Sequence, residues 1–161
     1  MWNWQKPGER MRKLLYMMQV RGQTSRPTDQ SQPLRSTGSA ASCVLTTLIS
    51  ASGIRTDLKS SDGELAFFES EMRLTGPDEF QETGEIMFGD STGHSLRFST
   101  AGHGHFTSGF EAGTISGTAS WRVESGEGQF AGANGFITSN FTIAASGERC
   151  DFHCGVIFLR E

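Results

Sequence analysis

The chain has 161 residues, of which 35% are hydrophobic and 10% aromatic, and its formal net charge is −4. This length and apolar content suit one hydrophobic core rather than two. The charge is uneven, since residues 1–62 carry nine Lys and Arg against four Asp and Glu, whereas residues 63–161 carry five against fourteen. The acidic second half excludes a nucleic-acid groove there, because phosphate binding needs clustered Lys and Arg.

Signals for membrane insertion or export are not evident in the sequence. No run approaches the roughly 20 apolar residues that cross a bilayer. The apolar run at 40–51 begins well inside the chain and is rich in Ser and Thr, unlike a secretory signal. Three cysteines, an odd number, do not indicate a disulfide framework. We therefore predict a cytoplasmic protein with neither a membrane nor a nucleic acid as partner.

The first part of the chain is predicted to lie outside the folded domain. Residues 9–20 contain good helix formers and predict a short helix, although 14–18 would also suit a first strand. Residues 21–42 contain too few apolar groups to offset an ordering entropy of roughly 1–2 kcal/mol per residue. We predict a flexible basic extension over 1–42 and a folded domain over 43–161. Residues 43–49 are rich in β-branched and apolar residues and predict a strand.

From Gly63 onward, short extended segments alternate with turn residues, which is typical of an all-β barrel or sandwich. Within 113–124, alternate residues from Ile115 to Val123 share an apolar face, and polar side chains occupy the other face. Closure of the sheet would remove exposed edges, so we predict one small antiparallel barrel of about seven to eight strands, with 43–50 as a candidate eighth. The strands are predicted at about 64–74, 82–89, 94–105, 113–124, 128–132, 135–143 and 150–159.

The segment from Gly126 to Ile137 has closely spaced glycines that predict a sharp corner between strands. Its pattern G-x-G-x-F-x-G-A-x-G-x-hydrophobic resembles that of the allene oxide cyclase-like barrels, including bacterial barrel proteins of unassigned function. The segment Gly89–His94, upstream of this pattern, and the apolar strand around Val156, downstream of it, lie in the order expected of that family. The likeness covers about residues 63–161. The resemblance implies a small antiparallel barrel, often oligomeric, whose apolar lumen steers ring closure of a ligand, with a carboxylate and a bound water placing charge. It transfers no catalytic residue to this chain.

An apolar lumen is the predicted ligand site. Large inward side chains beside small residues such as Gly117 and Ala119 would leave room for a ligand, though they equally suit a filled, tapered barrel. The last strand is apolar on both faces, so one face is expected to contact a neighbouring subunit or the N-terminal segment. The predicted ligand-binding residues are Phe68, Met72, Phe98, Trp121 and Phe141.

Two clusters suggest metal binding, but each has a simpler interpretation. His103 and His105 share one face of a strand, as in cupin barrels, yet the second histidine motif of cupins is missing and a surface pair is favoured. Cys150 and Cys154 share a face opposite to His153, so the three side chains would not converge on one ion. We therefore predict no metal site.

The carboxylates Glu69 and Glu71 could serve as acid and base if burial raised one pKa. Because Arg73 lies on the same face, a solvated outer face with a local ion pair is the favoured interpretation.

The sequence supports two main hypotheses for function and a weaker third. The first is a cyclase or isomerase that folds a hydrophobic small molecule inside the barrel, without a cofactor and as a homo-oligomer. The second is a non-catalytic binder of an apolar ligand, as in calycin-type carriers, and the third is a cupin-like metal enzyme. No catalytic residue is assigned, and the sequence does not decide whether the protein is an enzyme.

Overall fold

The computed structural model describes residues 10–29, 31–90, 93–109 and 111–161. This part of the chain is all-β, with a single 3₁₀ turn at Gly128–Phe130, and it contains no helix with the length and hydropathy that a membrane span requires. The strands in chain order are β1 (Met11–Ser25), β2 (Leu34–Ala40), β3 (Cys43–Ser50), β4 (Gly53–Ser60), β5 (Ala66–Leu74), β6 (Glu79–Phe88), β7 (His94–Thr100), β8 (Gly104–Ser108), β9 (Ile115–Glu127), β10 (Asn134–Ile143) and β11 (Glu148–Arg160).

Eight strands form a closed antiparallel barrel, as predicted. Their order around the barrel is β1, β2, β5, β6, β7, β9, β10 and β11, and β11 pairs back onto β1. The short extra strand β8 follows β7 and pairs with the same two neighbours, β6 and β9, so it prolongs the wall that β7 begins. Closure leaves the long strands without free edges, which is the physical reason to favour a barrel over an open sheet.

Side-chain alternation places the core inside the barrel. In β9, the side chains of Ala119, Trp121 and Val123 are buried, whereas the intervening residues are exposed, as their alternation predicts. Gly117 lies on the same inner face, where an added Cβ would come within 2.2 Å of the Phe141 ring. The absence of a side chain at Gly117 is therefore what lets this aromatic ring lie across the lumen.

The prediction of a helix and a flexible extension at the N-terminus is wrong for the described residues. β1 and β2 are barrel strands, and β1 pairs with β11 continuously from Met11↔Arg160 to Gln23↔Glu148. The reason is a period of two: Tyr16, Val20 and Thr24 are buried on the inner face of β1. Tertiary pairing along this strand outweighs the helix propensity of its Met, Leu and Gln residues. Residues 1–9 of the predicted extension lie outside the described residues.

The segment proposed as the eighth barrel strand is also placed elsewhere. β3 and β4 form a two-stranded hairpin that is separate from the barrel sheet. The hairpin leaves the barrel between β2 and β5, and the Ser61 N–H donates to the Ser42 carbonyl at its base. β1 and β2, rather than residues 43–50, complete the barrel.

The glycine-rich corner is confirmed, although its middle is not a strand. Residues 128–132 were predicted as extended, but Gly128–Phe130 form the 3₁₀ turn between β9 and β10. Gly128 and Gly132 have φ angles of 60° and 70°, which favour glycine. Phe130 is buried here and stacks on Phe88 at 4.8 Å between ring centroids. This glycine end of the barrel also carries the hairpin, and the opposite end carries the β1–β2, β5–β6, β8–β9 and β10–β11 connections.

Removing residues 1–40 is expected to abolish cooperative unfolding of the barrel, because β5 and β11 would both lose a neighbouring strand. Thermal unfolding followed by circular dichroism measures this change. The control replaces residues 43–60 by a short Gly-Ser linker and should still unfold in one cooperative transition, since the hairpin pairs with no barrel strand. A truncated protein that melts like the full chain would contradict the assignment of β1 and β2 to the barrel.

Candidate functional site

Four ionisable side chains lie inside the barrel with no more than 2% of their surface exposed, namely Glu82, Arg149, Asp151 and His153. Arg149, Asp151 and His153 alternate along β11, so the two-residue period of a strand directs all three inward. Glu82 points inward from β6, which lies four positions from β11 in either direction around the barrel. The charged cluster therefore spans the barrel from one wall to the opposite wall.

Arg149 connects the members of this cluster. Its Nη1 lies 3.0 Å from Glu82 Oε1, and its Nη2 lies 2.7 Å from Asp151 Oδ2. His153 Nε2 is 3.2 Å from the same Asp151 oxygen, although the angle is not that of a hydrogen bond. Two buried carboxylates thus share one guanidinium, with an imidazole at the edge of the group.

Hydroxyl groups from neighbouring strands complete the hydrogen bonding. Ser70 Oγ donates to Glu82 Oε1 at 2.6 Å, and Ser139 Oγ lies 2.8 and 2.9 Å from the two carboxylate oxygens of Asp151. Arg149 Nη1 also donates to Ser36 Oγ at 3.0 Å. Buried ions are tolerated when such partners are present, because hydrogen bonds replace part of their lost hydration.

Aromatic rings surround the charged cluster. The Arg149 guanidinium carbon lies 4.3 Å from the centroid of the Phe141 ring and 5.2 Å from that of Phe68, within the range of cation–π attraction. Trp121 stacks on Phe98 at 3.9 Å between centroids and on Phe68 at 5.9 Å. The cluster is therefore enclosed by apolar walls with a low effective dielectric constant, where electrostatic interactions are stronger than in water.

Asp151 and Arg149 both carry charge at neutral pH. Burial raises the pKa of Asp151, but His153 and Arg149 outweigh burial and lower this pKa from 3.8 to about 2. Burial alone would lower the pKa of Arg149, yet Glu82 and Asp151 raise it above the ordinary value. Burial and the charge of Asp151 raise the pKa of Tyr16, whose hydroxyl lies 3.5 Å from His153 Nδ1. Tyr16 is therefore a neutral phenol beside the cluster.

Four buried polar atoms at this site have no hydrogen-bonding partner within the described part of the chain. They are Glu82 Oε2, Trp121 Nε1, Arg149 Nε and His153 Nε2. Leaving such an atom unpaired costs about 1–3 kcal/mol, so native interiors contain few of them. Three belong to the charged cluster and the fourth to the ring beside it, so the unused hydrogen-bonding capacity is concentrated in one place.

A cleft of about 1010 Å³ opens at the end of the barrel opposite the glycine corner. Its apolar lining includes Leu34, Phe106 and Ile115, and Thr24 also contributes to it. Thr24 Oγ1 is 2.8 Å from Ser36 Oγ, which in turn accepts from Arg149. A continuous chain of polar groups thus leads from the cleft to the charged cluster.

All five residues predicted to bind a ligand are buried inside the barrel. Four of them, Phe68, Phe98, Trp121 and Phe141, contribute aromatic rings near the charged cluster, and Met72 belongs to the same buried core. Contact of these residues with a ligand stays a prediction.

Sequence reasoning missed the charged residues of the site. Glu82 has the same parity as Phe80 and Ile86 in β6, so the alternation of this strand could have placed it inside. Arg149 and Asp151 lie on the same face of β11 as His153, but Val156–Leu159 of this strand are apolar on both faces, so the sequence pattern does not identify the inner face.

The other candidate sites lie on the outside of the barrel. His103 and His105 are exposed, His103 Nδ1 lies 3.2 Å from Thr75 Oγ1, and His105 is 3.9 Å from the Glu79 carboxylate. This arrangement agrees with a surface pair. Among the described residues, no three His, Cys, Asp or Glu side chains are grouped to hold a metal ion.

The remaining pairs have the orientations that alternation predicted. Cys150 and Cys154 face outward from β11, whereas His153 faces inward. Glu71 lies on the outer face, where it is 3.0 Å from Arg35 and 4.0 Å from Arg73. Glu71 thus forms surface ion pairs, and Glu69 is exposed on the same outer face, away from the interior cluster.

Comparison of the chain with models of protein families, with curated proteins and with solved structures found no match.

Replacing Asp151 by Asn tests the electrostatics of the cluster through pH. The lowered pKa means that Asp151 stabilises the fold above its unfolded value of 3.8 and loses this contribution as pH falls towards about 2. The free energy of unfolding of D151N should therefore lie below that of the wild type at neutral pH, and the gap should shrink by about 2 kcal/mol at low pH. Urea unfolding over a pH series measures the gap.

The control for this experiment is Asp62→Asn, which alters an exposed carboxylate. It should track the wild type at each pH. A gap between wild type and D151N that stays constant over the whole series would show that the charge of Asp151 does not matter to the fold.

Proposed function

We propose that the barrel binds a mostly apolar small molecule that carries a polar group, and that the Glu82–Arg149 pair contacts this group. The observation that carries the proposal is a buried cluster of charges with unpaired hydrogen-bonding atoms, which hydrogen bonds through Ser36 and Thr24 join to the lining of an open cleft. Ligand sites are commonly concave and mostly apolar, with a few polar groups that orient the ligand. The cleft volume of about 1010 Å³ suits a ligand of this class.

Stability alone is a weak explanation for the cluster. Replacing a buried ion pair by apolar side chains of similar volume is often neutral or stabilising by about 1–4 kcal/mol. Groups with perturbed pKa values in a closed interior are, by contrast, common at functional sites. The presence of Arg149 and Asp151 in a mostly apolar lumen therefore supports a role in ligand chemistry.

The reaction class that fits this arrangement best is cyclisation or isomerisation. A rearrangement within one molecule leaves its atoms unchanged, so it requires no second substrate. The aromatic walls would hold the molecule in a reactive conformation, Arg149 would polarise an oxygen atom, and Glu82 would accept or return a proton. This role agrees with the resemblance to allene oxide cyclase-like barrels, in which a carboxylate places charge.

Binding without catalysis is the alternative, and the position of the cleft favours it. Leu34, Phe106 and Ile115 line a volume that can hold a drug-sized molecule at the end of the barrel, and the charged residues of the cluster are not part of this lining. A carrier of this kind would use the apolar lining for affinity and the cluster for orientation only.

The substitution Leu34→Trp should weaken ligand binding by filling the cleft. Titration with a fluorescent apolar probe, such as anilinonaphthalene sulfonate, measures the dissociation constant, which should rise about 5- to 30-fold if about 1–2 kcal/mol of contact is lost. Met87→Trp adds the same bulk on the outer face of β6 and should bind the probe like the wild type. Equal affinity in L34W and the wild type would place the binding site elsewhere.

The substitution Glu82→Gln separates an enzyme from a carrier. The protein is incubated with a lipophilic extract, and chromatography with mass detection follows compounds that keep their mass but change retention time. In E82Q this conversion should fall about 10²–10⁴-fold, the usual contribution of a general acid or base, while probe binding persists.

Glu69→Gln, on the outer face of β5, is the matched control and should convert at the wild-type rate. Circular dichroism of each variant confirms that the barrel is folded. A compound that the wild type retains unchanged would instead favour the carrier.

A further inference from the structure

The β3–β4 hairpin has one face without charge. The register pairs Leu45 with Leu58, Thr47 with Thr56 and Ile49 with Ile54 on this apolar face. On the other face, Lys59, Asp57 and Arg55 lie opposite Val44, Thr46 and Leu48. All charged side chains of the two strands are thus on one side, and four large aliphatic side chains are on the other.

The apolar face is open to solvent in the single chain. Leu45 is 47% exposed, Ile54 71% and Ile49 79%. A lone two-stranded hairpin is marginally stable in water at best, because it lacks a layer that covers its hydrophobic side. A regular hairpin with such a face therefore indicates a surface that another molecule covers.

A second apolar surface lies on the outer wall of the barrel. Between the charged residues Glu148 and Arg160 at the two ends of β11, its outward side chains are uncharged, namely Cys150, Phe152, Cys154, Val156 and Phe158. Val156 is flanked by Leu15 on β1 and Phe136 on β10, which are 74% and 55% exposed. We call this surface the outer strip and define it by Leu15, Phe136, Phe152, Val156 and Phe158.

We propose that the apolar face of the hairpin packs on the outer strip of a second copy of this chain, with the two copies exchanging hairpins around a two-fold axis. The two surfaces are both exposed in one chain, so the hairpin does not cover the strip of its own barrel. A second copy supplies to each surface the partner that it lacks. Reciprocal exchange also gives a closed dimer, whereas a contact made in one direction only would add copy after copy to an open filament.

The area of contact favours reciprocal exchange over a single contact. Each strand of the hairpin has eight residues, so its face is about 26 Å long and about 10 Å wide. One contact then buries about 500 Å² in total, below the roughly 1,000 Å² that a specific interface needs, whereas two contacts reach it. If the hairpins of two copies packed on each other instead, there would be only one contact, with the area of about 500 Å².

The apolar surface is also continuous between the hairpin and the barrel. A hollow of about 250 Å³ at the base of the hairpin is lined by Met17, Cys43 and Leu65, among others. Met17 lies directly opposite Cys154, on the outer face of β11. A partner seated on the strip would therefore meet the base of the hairpin as well, which enlarges the contact.

A charge swap tests the proposal by sedimentation of the purified full-length protein. The wild type should sediment as a dimer, and Ile49→Lys and Leu15→Glu should each halve the molar mass. When the two variants are mixed, the dimer should return, because the introduced lysine meets the introduced glutamate in one contact and the other contact is unaltered. Leu48→Lys changes the adjacent residue on the charged face of the hairpin and should remain a dimer.

Several results would overturn the proposal. They are a monomeric wild type, a dimer that survives Leu15→Glu, no recovery in the mixture, or equal disruption by Leu48→Lys and Ile49→Lys. Flotation with phosphatidylcholine and phosphatidylglycerol vesicles provides another test. If the wild type binds the vesicles and Ile49→Lys does not, the partner of the hairpin is a lipid surface and the proposal is wrong. Thermal unfolding of each variant shows whether the barrel is intact.

Discussion

The ion pair between Arg149 and Glu82 is the interaction on which the interior of the barrel depends, because it joins opposite walls. Removing one partner would leave an uncompensated buried charge, a change that costs about 3–5 kcal/mol. Ser70 donates a hydrogen bond to the paired oxygen of Glu82, and Ser36 accepts one from the paired nitrogen of Arg149. The Phe141 ring lies against the guanidinium. The pair thus sets the separation of two strands that share no backbone hydrogen bonds.

The fold could be predicted where alternation and turn chemistry act together. The period of two in β9 and the glycines of the β9–β10 corner identify a small closed sheet, and both agree with the structure. β1 was missed because its Met, Leu and Gln residues also suit a helix, and only pairing with the distant β11 decides between the two. β2 was missed because residues 34–40 are mostly polar and small, so their order comes from their neighbours rather than from their own composition.

The sequence likewise predicts one part of the candidate site and misses the other. Large aromatic residues at regular spacing reveal the lumen, since burial of Trp121 and Phe98 follows from local pattern. Burial of the charged residues does not follow from local pattern. A glutamate or arginine in a strand is normally exposed, and it is buried only where the fold pairs it with a counter-ion. Arg149 is 67 positions from Glu82 in the chain. No local rule connects residues at that separation, and the cluster emerges only from closure of the barrel.

Pairing of the first strand with the last has a consequence for how the protein is made. During synthesis, β1 emerges early and can pair with β2, but its long pairing with β11 forms only when β11 has left the ribosome. The same late strand brings Arg149, Asp151 and His153, so the nascent chain holds Glu82 without its counter-ion until the final step. Contacts so distant in sequence slow folding. A growing chain of this protein therefore exposes the unpaired side of β1 for longer than a chain whose strands all pair in the order of synthesis.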